Sequence, residues 1–331
     1  MKTIKKGVLF DMIKQVPRFL VTDVMNIEEW TATEGVHSDY GVFERWEDTK
    51  TSKKLGDTWE TGYHRTMWFE ADVVITDEFL NKKLYLEIDF GGEAIVRING
   101  KIVGAVSSPM KFGWVNRDQI FLPVYEKAGE KIHIEIEAAI NSAGFCDFAM
   151  EGATKEIYTM EKARIVAVDT VAESYIYDIN TLWGALPLIE DRYISSKLYE
   201  VLDNSVHFVD FDFDADTGRK SIVKAKKYLD GELKKLSYIP TSTVYLTGHC
   251  HIDIAWLWEV RETVRKTART MANNLELMDR YPDMIFTQSQ AILYDFLKVH
   301  YPELYERIKE KIKEGKWIIE GNSWVDRKSV V

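Results

Sequence analysis

Thr247-Gly-His-Cys-His-Ile-Asp-Ile-Ala-Trp-Leu-Trp258 follows directly on the apolar run Thr243-Val-Tyr-Leu246. The run predicts a strand, and alternate side chains of a strand share a face. If extended backbone continues to Asp253, then His249, His251 and Asp253 point one way, and Cys250 and Ile252 the other. Imidazole and carboxylate presented together from one strand end form half of a Zn²⁺ site.

Downstream the pattern alternates helix and strand. Val264, Ala268, Met271, Leu275 and Met278 recur at helical spacing and predict one long apolar face, stopped by Pro282. Met284-Ile-Phe-Thr287 predicts a second strand, ending in Gln288-Ser-Gln290. A further helical run follows. Pro302 then opens a helix with Leu304, Ile308 and Ile312 on one face and Gly315 at its end, and Lys316-Trp-Ile-Ile-Glu320 predicts a third strand. Strand–helix alternation implies a parallel α/β sheet, whose reactive groups lie at the strand C-termini. His251 with Asp253, Gln288 with Gln290, and the segment 321–326 all occupy such ends.

Upstream the period is two. Lys83-Leu-Tyr-Leu-Glu-Ile-Asp-Phe90 and Lys131-Ile-His-Ile-Glu-Ile-Glu-Ala138 alternate apolar and polar, and Asn99-Gly100 between Ala94–Ile98 and Lys101–Val103 is a hairpin turn. An antiparallel β-sandwich over roughly residues 40–150 is expected. Residues 163–177 and 221–236 predict helices of a connector. Asp210-Phe-Asp-Phe-Asp-Ala-Asp-Thr-Gly218 spaces carboxylates like a calcium loop. Its glycine is misplaced and Val223 stands where a bidentate Glu is needed, so a solvated acidic turn is the better reading.

The net charge of −10 argues against nucleic acid or an anionic membrane as partner. The apolar amino-terminal segment breaks at Asp11 after four residues, too short for a signal peptide, and nothing approaches the ~18 apolar residues of a membrane span. Two cysteines, Cys146 and Cys250, make no disulfide framework and fit a reducing compartment. A cytoplasmic protein is expected, and a homo-oligomer is left open.

Each candidate has a plainer reading. His251 and Asp253 could form a structural His–Asp hydrogen bond. His249 fits a supporting role better than that of a ligand, and Cys250 that of a small buried residue. Trp256 could offer its face to a pyranose ring or pack against a helix. Glu259, Arg261, Glu262 and Arg265 read as a charged helix face.

Together, Gly248-His-Cys-His-Ile-Asp-Ile-Ala-Trp-Leu-Trp258, Arg261-Glu262, Phe286-Thr-Gln-Ser-Gln290, Tyr301-Pro-Glu-Leu304 and Gly321-Asn-Ser-Trp-Val325 resemble glycoside hydrolase family 38, the zinc-dependent α-mannosidases. The β-rich region, with Phe90-Gly-Gly-Glu-Ala-Ile95 and Ile98-Asn-Gly100, is similar to the amino-terminal domain of the cytosolic and vacuolar branch. The resemblance implies a multidomain α/β protein: a β-sandwich domain (1–154), a mainly helical connector (155–240), and the first β/α units of a catalytic barrel (241–331). It implies retaining hydrolysis of terminal α-mannose in oligosaccharides by two carboxyl groups, with one Zn²⁺. By motif position His251 and Asp253 would be zinc ligands, and Trp256 would pack on the sugar.

One departure stands out. The family pattern places its nucleophilic Asp, also a zinc ligand, at the third position after Trp-Val. Here Trp324-Val325 is followed by Asp326-Arg-Lys328, so Lys328 occupies that position and Asp326 is two residues early. The expectation is the first third of a longer enzyme, with an incomplete zinc ligand set and no turnover of its own. The rival expectations are a non-catalytic carbohydrate-binding or assembly module, and an α/β domain without metal.

Overall fold

The computed structural model describes residues 3–61, 65–107, 117–139, 156–236, 243–256, 258–321 and 323–325. Two compact units emerge: Met1–Val24, Asn81–Leu84 and Val166–Val244 form the first, and Met25–Leu80, Tyr85–Ile165 and Tyr245–Val331 the second.

The first unit is helical, with α1 (Thr3–Gln15), α2 (Thr170–Ala185), α3 (Arg192–Val206) and α4 (Ala215–Lys235). An aspartate starts each of the last three. Asp169 accepts from the Ala172 amide at 2.8 Å, Asp191 from those of Tyr193 and Ile194, and Asp214 from those of Asp216 and Thr217. Each cap satisfies amides that have no partner inside the helix. The caps also correct two boundaries. Residues 162–168 are strand rather than the start of a helix, because Ile165, Val166 and Val168 are β-branched and Asp169 begins the helix behind them. The acidic turn spends Asp214 on the start of α4, seven residues ahead of the expected Ser221 region. Ile179, Leu202, Val206, Ile222 and Leu229 close a core on Phe19 and Leu9.

Strand β1 (Val21–Asn26) runs from the first unit into the second, which is β-rich. Strands β2 (Glu29–Asp39), β3 (Val42–Arg45), β4 (Thr51–Lys54), β5 (Thr58–Thr61), β6 (Arg65–Val74), β7 (Lys83–Asp89), β8 (Glu93–Ile98), β9 (Lys101–Ser107), β10 (Gln119–Leu122) and β11 (Lys131–Ala139) follow, then β12 (Glu156–Thr159) and β13 (Lys162–Val168). The larger sheet is antiparallel in the order β3-β2-β6-β11-β8-β9, with β4 also on β2; β13, β7 and β10 are neighbours in another sheet. Phe90, after β7, meets Phe69 of β6 at 4.8 Å and Trp30 of β2 at 5.1 Å between ring centroids, so the two sheets share an aromatic core. Asn99 and Gly100 both hold positive φ, +50° and +77°, as a two-residue hairpin between β8 and β9 requires. The sandwich expected over 40–150 thus extends at both ends.

The remaining strands, β14 (Gly248–His249), β15 (Phe286–Gln288) and β16 (Trp317–Ile319), make a parallel sheet in that order. Helices α5 (Val260–Arg280), α6 (Ala291–His300) and α7 (Pro302–Lys313) connect them. The five residues of the expected α5 face are all at most 1% exposed. The apolar run 243–246 is not a strand. Val244, Tyr245 and Leu246 are 76%, 91% and 84% exposed, and pairing starts only at Gly248, where β15 offers a partner. Hydrophobicity without a neighbouring ladder does not make a strand.

Sandwich and parallel sheet share one core. Ile95 and Ile102 of β8 and β9 belong to the same apolar cluster as Val264, Met271 and Leu275 of α5. β9 is an edge strand, and side chains cover its edge: Asn273 Oδ1 accepts from the Ala105 amide at 2.7 Å, and Arg307 donates to the Ile102 carbonyl at 2.9 Å. Covering the edge in this way removes an exposed template for strand pairing.

Candidate functional site

The parallel ladder between β14 and β15 ends early. Gly248 pairs with Phe286 and His249 with Thr287, and residues 250–253 carry no ladder. The segment is nonetheless held. Gln288 Nε2 donates to the Cys250 carbonyl at 2.6 Å, and Gln290 Nε2 to the Ile252 carbonyl at 2.9 Å. His249 Nδ1 lies 3.0 Å from the Thr287 carbonyl, so its ring is engaged by the neighbouring strand.

His251 and Asp253 meet on one side, with His251 Nε2 3.3 Å from Asp253 Oδ1; both side chains are partly exposed. That separation is long for a charge-assisted hydrogen bond, which runs about 2.7–2.9 Å. It matches the edge of a tetrahedral zinc site, where two ligands each ~2.0–2.1 Å from the metal stand roughly 3.3 Å apart. The two donors therefore fit zinc in chemistry and spacing. Among the described residues no group of three or more His, Cys, Asp or Glu could hold a metal. Asp326 and Lys328 lie outside the described residues, as does Cys146. Burial pushes the Cys250 thiol up, which keeps it protonated and unlike a ligand.

A cavity of about 270 Å³ reaches this pair, lined among others by Glu93, Ser107, His251, Asp253, Trp258 and Arg269. Its charges are tightly matched. Burial works to raise the Glu93 carboxyl, but Arg269 and Lys266 beside it prevail and bring it down to about 2. Lys266 Nζ lies 2.8 Å from Glu93 Oε1, and Arg269 Nη2 2.7 Å from Oε2. Glu93 is thus ionised near neutrality and has no proton to donate. Trp256 is 54% exposed and stands edge-on to Trp258 at 6.0 Å, while Lys266 sits over the Trp258 ring at 4.6 Å.

The expected charged helix face is corrected in part. Glu262 and Arg265 are buried, at 6% and 1% exposure, in an ion-pair network rather than in solvent. Arg265 reaches Glu137 of β11 at 3.2 Å, and Glu262 pairs with Arg269. Arg261 instead donates to the Ser38 carbonyl at 2.8 Å. Glu93, Lys266 and Arg269 carried no signal in the sequence, because Glu93 lies more than 170 positions from its partners and only the fold joins them.

Two family models match in order along the chain. Residues 20–166 match the α-mannosidase jelly roll domain, and residues 241–331 match the glycosyl hydrolases family 38 N-terminal domain. Among curated proteins, α-mannosidase G of Dictyostelium discoideum is 28% identical over 313 residues, covering 92% of this chain and 27% of that protein. Human α-mannosidase 2C1 is 27% identical, covering 82% of this chain and 25% of its own length. The α-mannosidase of Saccharomyces cerevisiae is 27% identical over 84% of this chain and 26% of its length. The chain spans about a quarter of the length of these relatives. With the jelly roll match over the strands that carry Glu93 and the family 38 match over the parallel sheet beside His251 and Asp253, the chain is similar, in order, to the N-terminal portion of the family 38 α-mannosidases.

Proposed function

We propose that this chain contributes the first part of a zinc-dependent site for retaining hydrolysis of terminal α-mannose in oligosaccharides. The observation that carries this reading is the 3.3 Å approach of His251 and Asp253 at the carboxyl end of the first parallel strand. His251 Nε2 and Asp253 Oδ1 would hold the metal. When bound, zinc would bind sugar hydroxyls and help orient the ring. Further ligands would be needed, since among the described residues no third His, Cys, Asp or Glu joins the pair. Trp256, half exposed and three residues beyond Asp253 in the chain, would offer apolar surface to a pyranose ring. The parallel strands with their connecting helices would be the first β/α units of a barrel.

Retaining hydrolysis needs a nucleophilic carboxylate and an acid/base about 5–5.5 Å apart. Lys328 stands where the family motif places the nucleophile, and Glu93 is engaged in ion pairs. The 331 residues by themselves are therefore expected to bind zinc and not to turn over substrate. The test is zinc content after dialysis against zinc, alongside release of p-nitrophenol from the α-mannoside. Zinc taken up by the native chain and lost in His251→Ala and Asp253→Ala agrees with the proposal. Zinc-dependent turnover by the purified chain would overturn the inactive assignment, and zinc uptake unchanged in His251→Ala would overturn the metal assignment.

A further inference from the structure

The register of β14 and β15 does not stop where the backbone ladder stops. His249 meets Thr287, Cys250 meets Gln288, and Ile252 meets Gln290, each pair 38 positions apart. From Cys250 onward the bonds come from side chains. Beyond Gln290 the chain turns into α6, whose first amides are taken by other carbonyls: Ala291 N donates to the Ser323 carbonyl and Ile292 N to that of Trp324. Opposite residues 250–252, the Ser289 and Gln290 amides turn to Gln288 Oε1, and two glutamine side-chain amides hold the Cys250 and Ile252 carbonyls.

We propose that Gln288 and Gln290 are positioning residues that hold residues 250–253 extended, so that His251 and Asp253 share a face. In extended chain the carbonyls of residues i and i+2 point the same way, and those of Cys250 and Ile252 are the two that the glutamines hold. The carbonyls so fixed belong to the residues on either side of His251 and immediately before Asp253. Both amides have a settled orientation. Gln288 Oε1 accepts from the Ser289 and Gln290 amides at 2.9 and 3.1 Å, which turns its NH₂ toward Cys250. Gln290 must turn its NH₂ to the Ile252 carbonyl, because two oxygens would repel there, although this leaves its own oxygen buried without a partner. Both side chains are fully buried. The Tyr294 hydroxyl anchors the strand behind them by donating to the Gln288 carbonyl at 2.9 Å, and itself accepts from Trp317 Nε1.

This deepens the metal reading above and rests on it for the zinc measurement alone. The experiment compares the full chain with Gln288→Met and Gln290→Met by hydrogen exchange of the metal-free protein, then by zinc titration. Exchange at residues 250–254 is expected to rise at least about tenfold in each variant, with α4 and β11 unchanged. Zinc affinity is expected to fall about 10- to 100-fold, as when other supports of metal ligands are removed. Should Gln290→Met not fold, Gln288→Glu carries the same test: it keeps the acceptor for Ser289 and Gln290 and replaces the donor to Cys250 by an oxygen that repels that carbonyl. Unchanged exchange at 250–254 overturns the positioning role, whatever zinc does. Raised exchange in a chain whose native form takes up no zinc upholds the positioning role and overturns the metal reading instead.

Discussion

Arg265 Nη2 of α5 lies 3.2 Å from Glu137 Oε1 of β11, with both side chains at most 5% exposed. The pair ties the jelly roll to the first helix of the family 38 segment. Removing one member of a buried pair leaves an uncompensated charge, at about 3–5 kcal/mol. Glu137 keeps Arg97 at 3.2 Å as a second partner, which places Arg265→Met at the lower end, about 3 kcal/mol. Urea denaturation of Arg265→Met measures it, and a loss under about 1 kcal/mol would show that the pair does not join the two regions energetically.

Acid should weaken the same interface through Glu93. Its folded-state carboxyl sits at about 2, below the 4.5 of a free Glu, so its stabilisation is complete above pH 4.5 and is lost as pH falls toward 2. Its side chain is 19% exposed, and solvent screening holds the contribution to about 2 kcal/mol. Thermal midpoints of the native chain and Glu93→Gln, compared from pH 6 to pH 2.5, should converge on acidification. Parallel curves would rule Glu93 out as the source.

Because Ile95 and Ile102 pack in one core with Val264, Met271 and Leu275, the region 245–331 should not fold without the sandwich. Expressed alone, it would expose that apolar face and leave Arg269 and Lys266 without Glu93. Circular dichroism with thermal unfolding is the check. A sharp cooperative transition in the isolated segment would contradict the shared core.

The β8–β9 hairpin offers a local test. Gly100 holds φ of +77° with open space around its missing Cβ, so Gly100→Ala introduces backbone strain and no clash. A cost of about 1 kcal/mol is expected from the positive φ. Equilibrium unfolding of the variant would expose any larger effect as one the turn geometry does not explain.

Much of this was legible in the sequence where the physics is local. The alternation in β7 and β11, the Asn99-Gly100 turn and the apolar face of α5 depend on neighbours a few residues away, and all are found. The run 243–246 and residues 163–168 were misread because strand formation needs a partner that composition does not reveal. Burial of Glu262 and Arg265 was missed for a similar reason. Arg265 is buried against Glu137, on a strand more than 120 residues away, and Glu262 pairs with Arg269, whose other carboxylate is the still more distant Glu93.

Motif spacing and hydrophobic period, which survive without coordinates, are enough for the family resemblance, the parallel strand–helix order and the nomination of His251 and Asp253 as a pair. The 3.3 Å approach of the two side chains, the glutamine bonds from Gln288 and Gln290 that continue the register, and the arrival of Glu93 at the cavity beside them all come from the fold. These relationships join residues far apart in the chain, and such distances are fixed by sheet register and core packing rather than by local pattern.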